Sequence, residues 1–61
     1  MKFEVGDVVI LRGLANFPMV IEDWNYENSQ INMYKYTCIW FDKNDVLHRE
    51  IFSEKLLIKI D

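Results

Sequence analysis

Cys38 and His48 are the chain's one cysteine and one histidine, and they flank the polar run Asp42-Lys43-Asn44-Asp45. A Cys–His nucleophile needs the imidazole within hydrogen-bond reach of the sulfur and a third group, here Glu50, to orient it. If the polar run is a hairpin turn, the strands it joins bring Cys38 and His48 near one another. Chemistry would also require a thiol of lowered pKa, set by a neighbouring cation or a helix N-terminus. It would further need an oxyanion site in a cleft. Thr37, Ile39 and Trp40 beside the cysteine supply neither. The sequence therefore predicts a buried structural cysteine, no catalytic residue and no enzyme.

Asp42, Asn44 and Asp45 resemble a fragment of a calcium loop, but the ligand spacing and the closing glutamate are missing, which leaves a solvated turn. One Cys and one His cannot complete a structural zinc site, and neither metal nor cofactor is expected. Trp24, Tyr26 and Tyr34, with Glu22 and Asp23 nearby, offer a third chemistry: an aromatic cage for a methylated lysine or arginine, held by cation–π attraction. Aromatic side chains also serve as ordinary packing in so small a domain.

The chain's 61 residues have room for a single domain over 1–61. A domain of this size buries only about 60% of the surface its unfolded chain exposes, leaving few residues to wall a catalytic cleft. With 51% hydrophobic and 15% aromatic residues the composition is too apolar for a disordered segment. The net charge of −3 and the scatter of Lys2, Arg12, Lys35, Lys43, Arg49, Lys55 and Lys59 among acids give no basic face. That disfavours nucleic acid, which stays as the alternative partner class because small barrels do bind RNA or single-stranded DNA through aromatics. A lone cysteine excludes an internal disulfide and fits a reducing compartment. Charges interrupt the N-terminus as they would not in a signal peptide. No run approaches the roughly 20 apolar residues of a membrane span. A cytoplasmic protein without membrane contact is expected.

The elements that must position these residues are short. Gly6-Asp7 marks a turn, and the β-branched run Val8-Val9-Ile10-Leu11 after it reads as a first strand. Residues 13–18 read as a loop, closed by Pro18 at the start of a second strand over 19–24. The Asn-rich segment 25–32 reads as a loop, and residues 33–41 as the longest strand. A turn over 42–45 leads to a fourth strand over 46–52. Ser53-Glu54-Lys55-Leu56 suits one 3₁₀ turn capped by Ser53, and 57–60 a short last strand. Five short strands in a chain this small must cover one another, so the expected fold is all-β: a small five-stranded SH3-like barrel with one 3₁₀ turn before the last strand.

With those residues in place, the chain resembles the YodC-like family of small bacterial proteins. That family carries Gly-Asp-x-Val-x-Leu near its start, matched by Gly6, Asp7, Val9 and Leu11. Its Pro and Met are matched by Pro18 and Met19, its Cys-x-Trp-Phe/Tyr strand by Cys38, Trp40 and Phe41, and its later Phe and Leu by Phe52 and Leu56. Gly13-Leu14-Ala15-Asn16-Phe17 stands where the family has a double glycine. The resemblance implies the barrel fold and carries over no activity.

Side chains alternate along a strand, so each strand offers two faces. Lys35 and Thr37 disqualify one face of the third strand as core, which places Tyr36, Cys38 and Trp40 inside. The family-matched Val9 and Leu11 also go inside, with Val8 and Ile10 outside. Met19, Ile21, Phe52, Leu56, Ile58 and Ile60 complete the core. His48 and Glu50 share the parity of Phe52, which predicts a bulge in the fourth strand. Val20, Trp24, Ile39 and Phe41 are left pointing outward, where pairing of strands two and three would merge them into one apolar patch with Tyr26 and Tyr34 at its rim. A contiguous patch of that kind marks an interface. The expected function is thus a small binding or adaptor module that meets a protein partner, or its own copy, through that patch.

Overall fold

A computed structural model describes residues 2–28 and 33–60; the side chains of residues 15, 16, 26–28 and 33 lie outside that description. The chain forms β1 (Val8–Leu11), β2 (Leu14–Asn28), β3 (Met33–Phe41), β4 (Leu47–Ser53), a 3₁₀ turn η1 (Glu54–Leu56) and β5 (Leu57–Lys59). All ladders are antiparallel, and the strands lie in one sheet in the order β4-β3-β2-β1-β5. The all-β, five-stranded reading and the 3₁₀ turn before the last strand therefore hold. The expected barrel is not closed: among the described residues no ladder joins the edge strands β4 and β5.

Local chemistry explains the turns. Gly6 takes φ 96° inside a turn where the Asp7 N–H donates to the Glu4 carbonyl and the Glu4 N–H to the Asp7 carboxylate. A side chain there would be strained. The turn is tied to β2, because Gly6 donates to the Ile21 carbonyl and Ile21 donates to the Asp7 carbonyl. Gly13, at φ 83°, turns β1 into β2. At the other end, the Asp42 carboxylate accepts the N–H groups of Asn44 and Val46, and Asp45 sits at φ 61°. Asp tolerates that left-handed position because it can bond its own backbone.

β2 is much longer than the expected 19–24. Residues 14–18 are strand, with Pro18 falling where the ladder to β1 jumps from Val9↔Met19 to Leu11↔Leu14, so its missing N–H breaks no regular pairing. Residues 25–28, expected as loop, pair with β3, whose β-forming residues override the weak propensity of the Asn-rich stretch. The rest of that expected loop, 29–32, lies outside the described residues. No side-chain cap is made by Ser53 to η1. The bulge expected in β4 is absent. Seven consecutive pairs from Lys35↔Ser53 to Phe41↔Leu47 run without a shift.

The core is Phe3, Val9, Met19, Ile21, Tyr36, Cys38 and Leu57, with Leu11, Tyr34, Trp40 and Phe52 packed against it. Three expected core residues are instead exposed: Leu56 (48%), Ile58 and Ile60. The turn ends at Leu56 as expected, but β5 pairs Leu57 with Leu11 and Lys59 with Val9, which turns the odd-numbered side chains, not the even ones, to the inner face. Leu57 is fully buried in their place. Ile10, expected outside, is also buried, flanked by β2 and β5.

Tyr36 anchors this core. Its ring meets Phe3 edge-on at 5.3 Å. Its hydroxyl donates to Glu54 Oε2 at 2.5 Å and accepts the N–H groups of Lys2 (3.1 Å) and Phe3 (3.3 Å). One phenol thus ties the N-terminal segment to η1. Removing it in Tyr36→Phe leaves the buried Phe3 N–H without its acceptor, which should cost about 1–3 kcal/mol. Urea unfolding followed by Trp fluorescence checks this; an unchanged midpoint would rule the anchor out.

Candidate functional site

The register decides which side chains can act together, because residues directly opposite in a ladder share a face. Val20 pairs with Ile39, and Ile39 with Arg49. On the other side Val20 pairs with Val8, and the Ile60 N–H donates to the Val8 carbonyl. Ile60, just past β5, therefore continues a row of Val8, Val20, Ile39 and Arg49 that crosses β1 to β4 on the outer face. Phe41↔Leu47, Ile10↔Ile58 and Thr37↔Ile51 extend that face on either side.

Trp24 is not on it. The ladder runs Ile21↔Cys38 and then Asp23↔Thr37, so Glu22 is an extra residue in β2. Such a bulge reverses the alternation beyond it. Trp24 pairs with Tyr36, which pairs with Phe52, so Trp24 belongs to the inner side although it is 43% exposed. Tyr26 pairs with Tyr34, and the Tyr26 side chain lies outside the described residues; Tyr34 is half-buried against the core. The expected patch is thus divided. Val20, Ile39 and Phe41 share the outer face, the bulge carries Trp24 to the other, and Tyr34 lies there by its parity with Tyr36 and Cys38 on β3. Sequence reasoning missed Leu47 and Ile51 as outward apolar residues because it expected a bulge in β4 where none exists.

The extra residue has a partner. Glu22 reaches past β3 to Arg49 on β4 in a two-pronged pair, with Nε to Oε1 at 2.7 Å and Nη2 to Oε2 at 2.9 Å. That geometry suits a guanidinium and a carboxylate. The hydrogen bond from Arg49 holds the Glu22 carboxyl below the ordinary carboxylate range.

The inner positions of the edge strands carry charge. Glu50 lies opposite Cys38 and is exposed, and Lys59 lies opposite Val9, its ammonium 3.6 Å from Asp7. Inward-pointing charges of this kind keep edge strands from adding further strands.

The Cys38–His48 pairing considered from sequence is not formed. Cys38 is fully buried, its Sγ donating to the Tyr36 carbonyl at 3.8 Å, and burial pushes the thiol up to about 11. His48 pairs across the ladder with Trp40, stacks on it at 5.3 Å, and places Nε2 2.7 Å from Asp42 Oδ2. The hydrogen bond with His48, then the backbone N–H groups of Val46 and Asn44, hold the Asp42 carboxyl below its ordinary range. Beside this cluster an open pocket of about 560 Å³ is lined by Phe17, Trp40, Phe41, Asp42 and Lys43. Among the described residues no group of three or more His, Cys, Asp or Glu could hold a metal ion, and no helix is long and apolar enough to cross a membrane. Comparison with protein-family models, curated proteins and solved structures finds no match.

Two outcomes follow at neutral and acid pH. The native thiol should resist a disulfide reagent at pH 7 and react only in denaturant; rapid native labelling would contradict its burial. Asp42 and Glu22 both bind protons more weakly folded than unfolded. The stability they contribute is therefore present above the ordinary carboxylate range and is lost as pH falls through it. Urea midpoints measured from neutral to acid pH should fall less steeply in Asp42→Asn and Glu22→Gln than in the parent.

Proposed function

We propose that this chain is a small non-enzymatic binding module whose outer sheet face contacts a protein partner, with a second copy of the same chain as its occupant. The observation that carries this is the uninterrupted apolar row Ile60, Val8, Val20 and Ile39, flanked by exposed Phe41 (67%), Leu47 and Ile51.

Three considerations favour a second copy. The exposed parts of these side chains amount to on the order of 500 Å² of apolar surface, at the upper end of what a monomer leaves uncovered. That is less than the roughly 800 Å² per partner of a standard interface, which fits a weak, reversible pair. The charges at the end of the row, Glu22 and Arg49, satisfy each other, so the face has no surplus charge with which to select a charged partner. The charged inner positions of β4 and β5 oppose association through the edges, leaving face-to-face contact, and a two-fold contact needs only a self-complementary patch. The YodC-like resemblance and a cytoplasmic setting are compatible with this reading.

Sedimentation velocity from low to high micromolar protein tests it. The weight-average mass should rise with concentration, and more so at high salt, which screens the repulsion between two chains of charge −3. Ile51→Lys and Leu47→Lys, both at exposed positions, should abolish the rise while remaining folded by circular dichroism. Trp24→Ala should leave it intact. A parent that stays monomeric throughout, or a lysine variant that still associates, would refute self-association through this face.

A further inference from the structure

We propose that the pocket beside the β3–β4 turn binds the guanidinium of an arginine side chain presented by a partner polypeptide. The inference does not rest on self-association. The pocket is lined by three aromatic residues, Phe17, Trp40 and Phe41, together with Asp42 and Lys43. Phe17 and Phe41 are each more than half exposed, an expensive arrangement for two phenyl rings flanking one concavity. His48 stacks on Trp40 with the rings 13° from parallel.

Asp42 is the fixed element. Its Oδ1 accepts the N–H groups of Asn44 at 2.8 Å and Val46 at 3.1 Å, and its Oδ2 lies 2.7 Å from His48. A carboxylate offers about four acceptor positions in all, so capacity for a further donor remains. Guanidinium meets both features at once: it is planar and weakly hydrated, stacks on aromatic faces and carries N–H donors for a carboxylate. A trimethylated ammonium would use the rings but has no N–H for Asp42. The pocket also holds a cation, Lys43. Its ammonium sits on an exposed, rotatable stem that can turn to water, whereas Asp42 is pinned. The chain's net charge of −3 draws cations rather than phosphates to it. A nucleic-acid strand would need a basic track along its backbone, and Lys43 is the sole cation among the lining residues.

The test is a ¹H–¹⁵N NMR titration with N-acetyl-arginine amide, run on the parent and on Ile51→Lys. Parallel arms use N-acetyl-trimethyllysine amide and a single-stranded oligonucleotide. Arginine amide should shift Phe17 and residues 40–43 in both proteins, with a dissociation constant in the millimolar range. Phe17→Ala and Asp42→Asn should each weaken it about tenfold, a loss of ~1.4 kcal/mol. Shifts elsewhere or none, no loss in Phe17→Ala, or equal or tighter binding of trimethyllysine or the oligonucleotide at these residues would overturn the assignment.

Discussion

The extra residue at Glu22 is the constraint on which the arrangement of faces depends. Without it, the alternation of β2 would carry Trp24 to the same side as Val20, and the outer face would end in an indole. With it, Trp24 falls in a row with Tyr36 and Phe52, and the outer face is left to aliphatic side chains and Phe41. The bulged residue is held by the two-pronged contact of Glu22 with Arg49. A surface ion pair of ordinary geometry contributes little to stability. Here its effect is positional, because it spans three strands and closes the apolar row at the residue that breaks the alternation.

The inner face is organised by Tyr36, which is fully buried on β3, between β4 and β2. Burial, then the bonded Glu54 carboxylate, pushes its phenol up from the ordinary value, so the hydroxyl keeps its proton as donor to Glu54 while accepting two backbone N–H groups. A sheet of this size has no second layer, so the residues before β1 and the 3₁₀ turn must cover the inner side. The phenol ties them together. Covering does not extend to the edge strands, and the positions where a closed barrel would need apolar side chains hold Glu50 and Lys59 instead.

Much of this was legible in local signals. The β-branched run of β1, the strand from Met33 to Phe41, the Asp-rich turn and the position of η1 each follow from residue types over a few positions. So does the burial of Val9, Met19, Ile21, Tyr36 and Cys38. The failures all concern what one strand does to another. Residues 25–28 have poor strand propensity and become strand because β3 supplies partners. Leu57 replaced Leu56 in the core because pairing with β1, which sets Leu57 opposite Leu11, fixes the parity of the last strand. Trp24 was misplaced because a bulge leaves no mark in the spacing of apolar residues. Phe17 escaped notice as a pocket wall because its segment read as a loop.

Cross-strand backbone NOEs between β2 and β3 test the central claim most directly. The account predicts that Ile21 faces Cys38 and Trp24 faces Tyr36, with Glu22 unpaired between them. An unbroken ladder that sets Trp24 opposite Lys35 would return the indole to the outer face and contradict it.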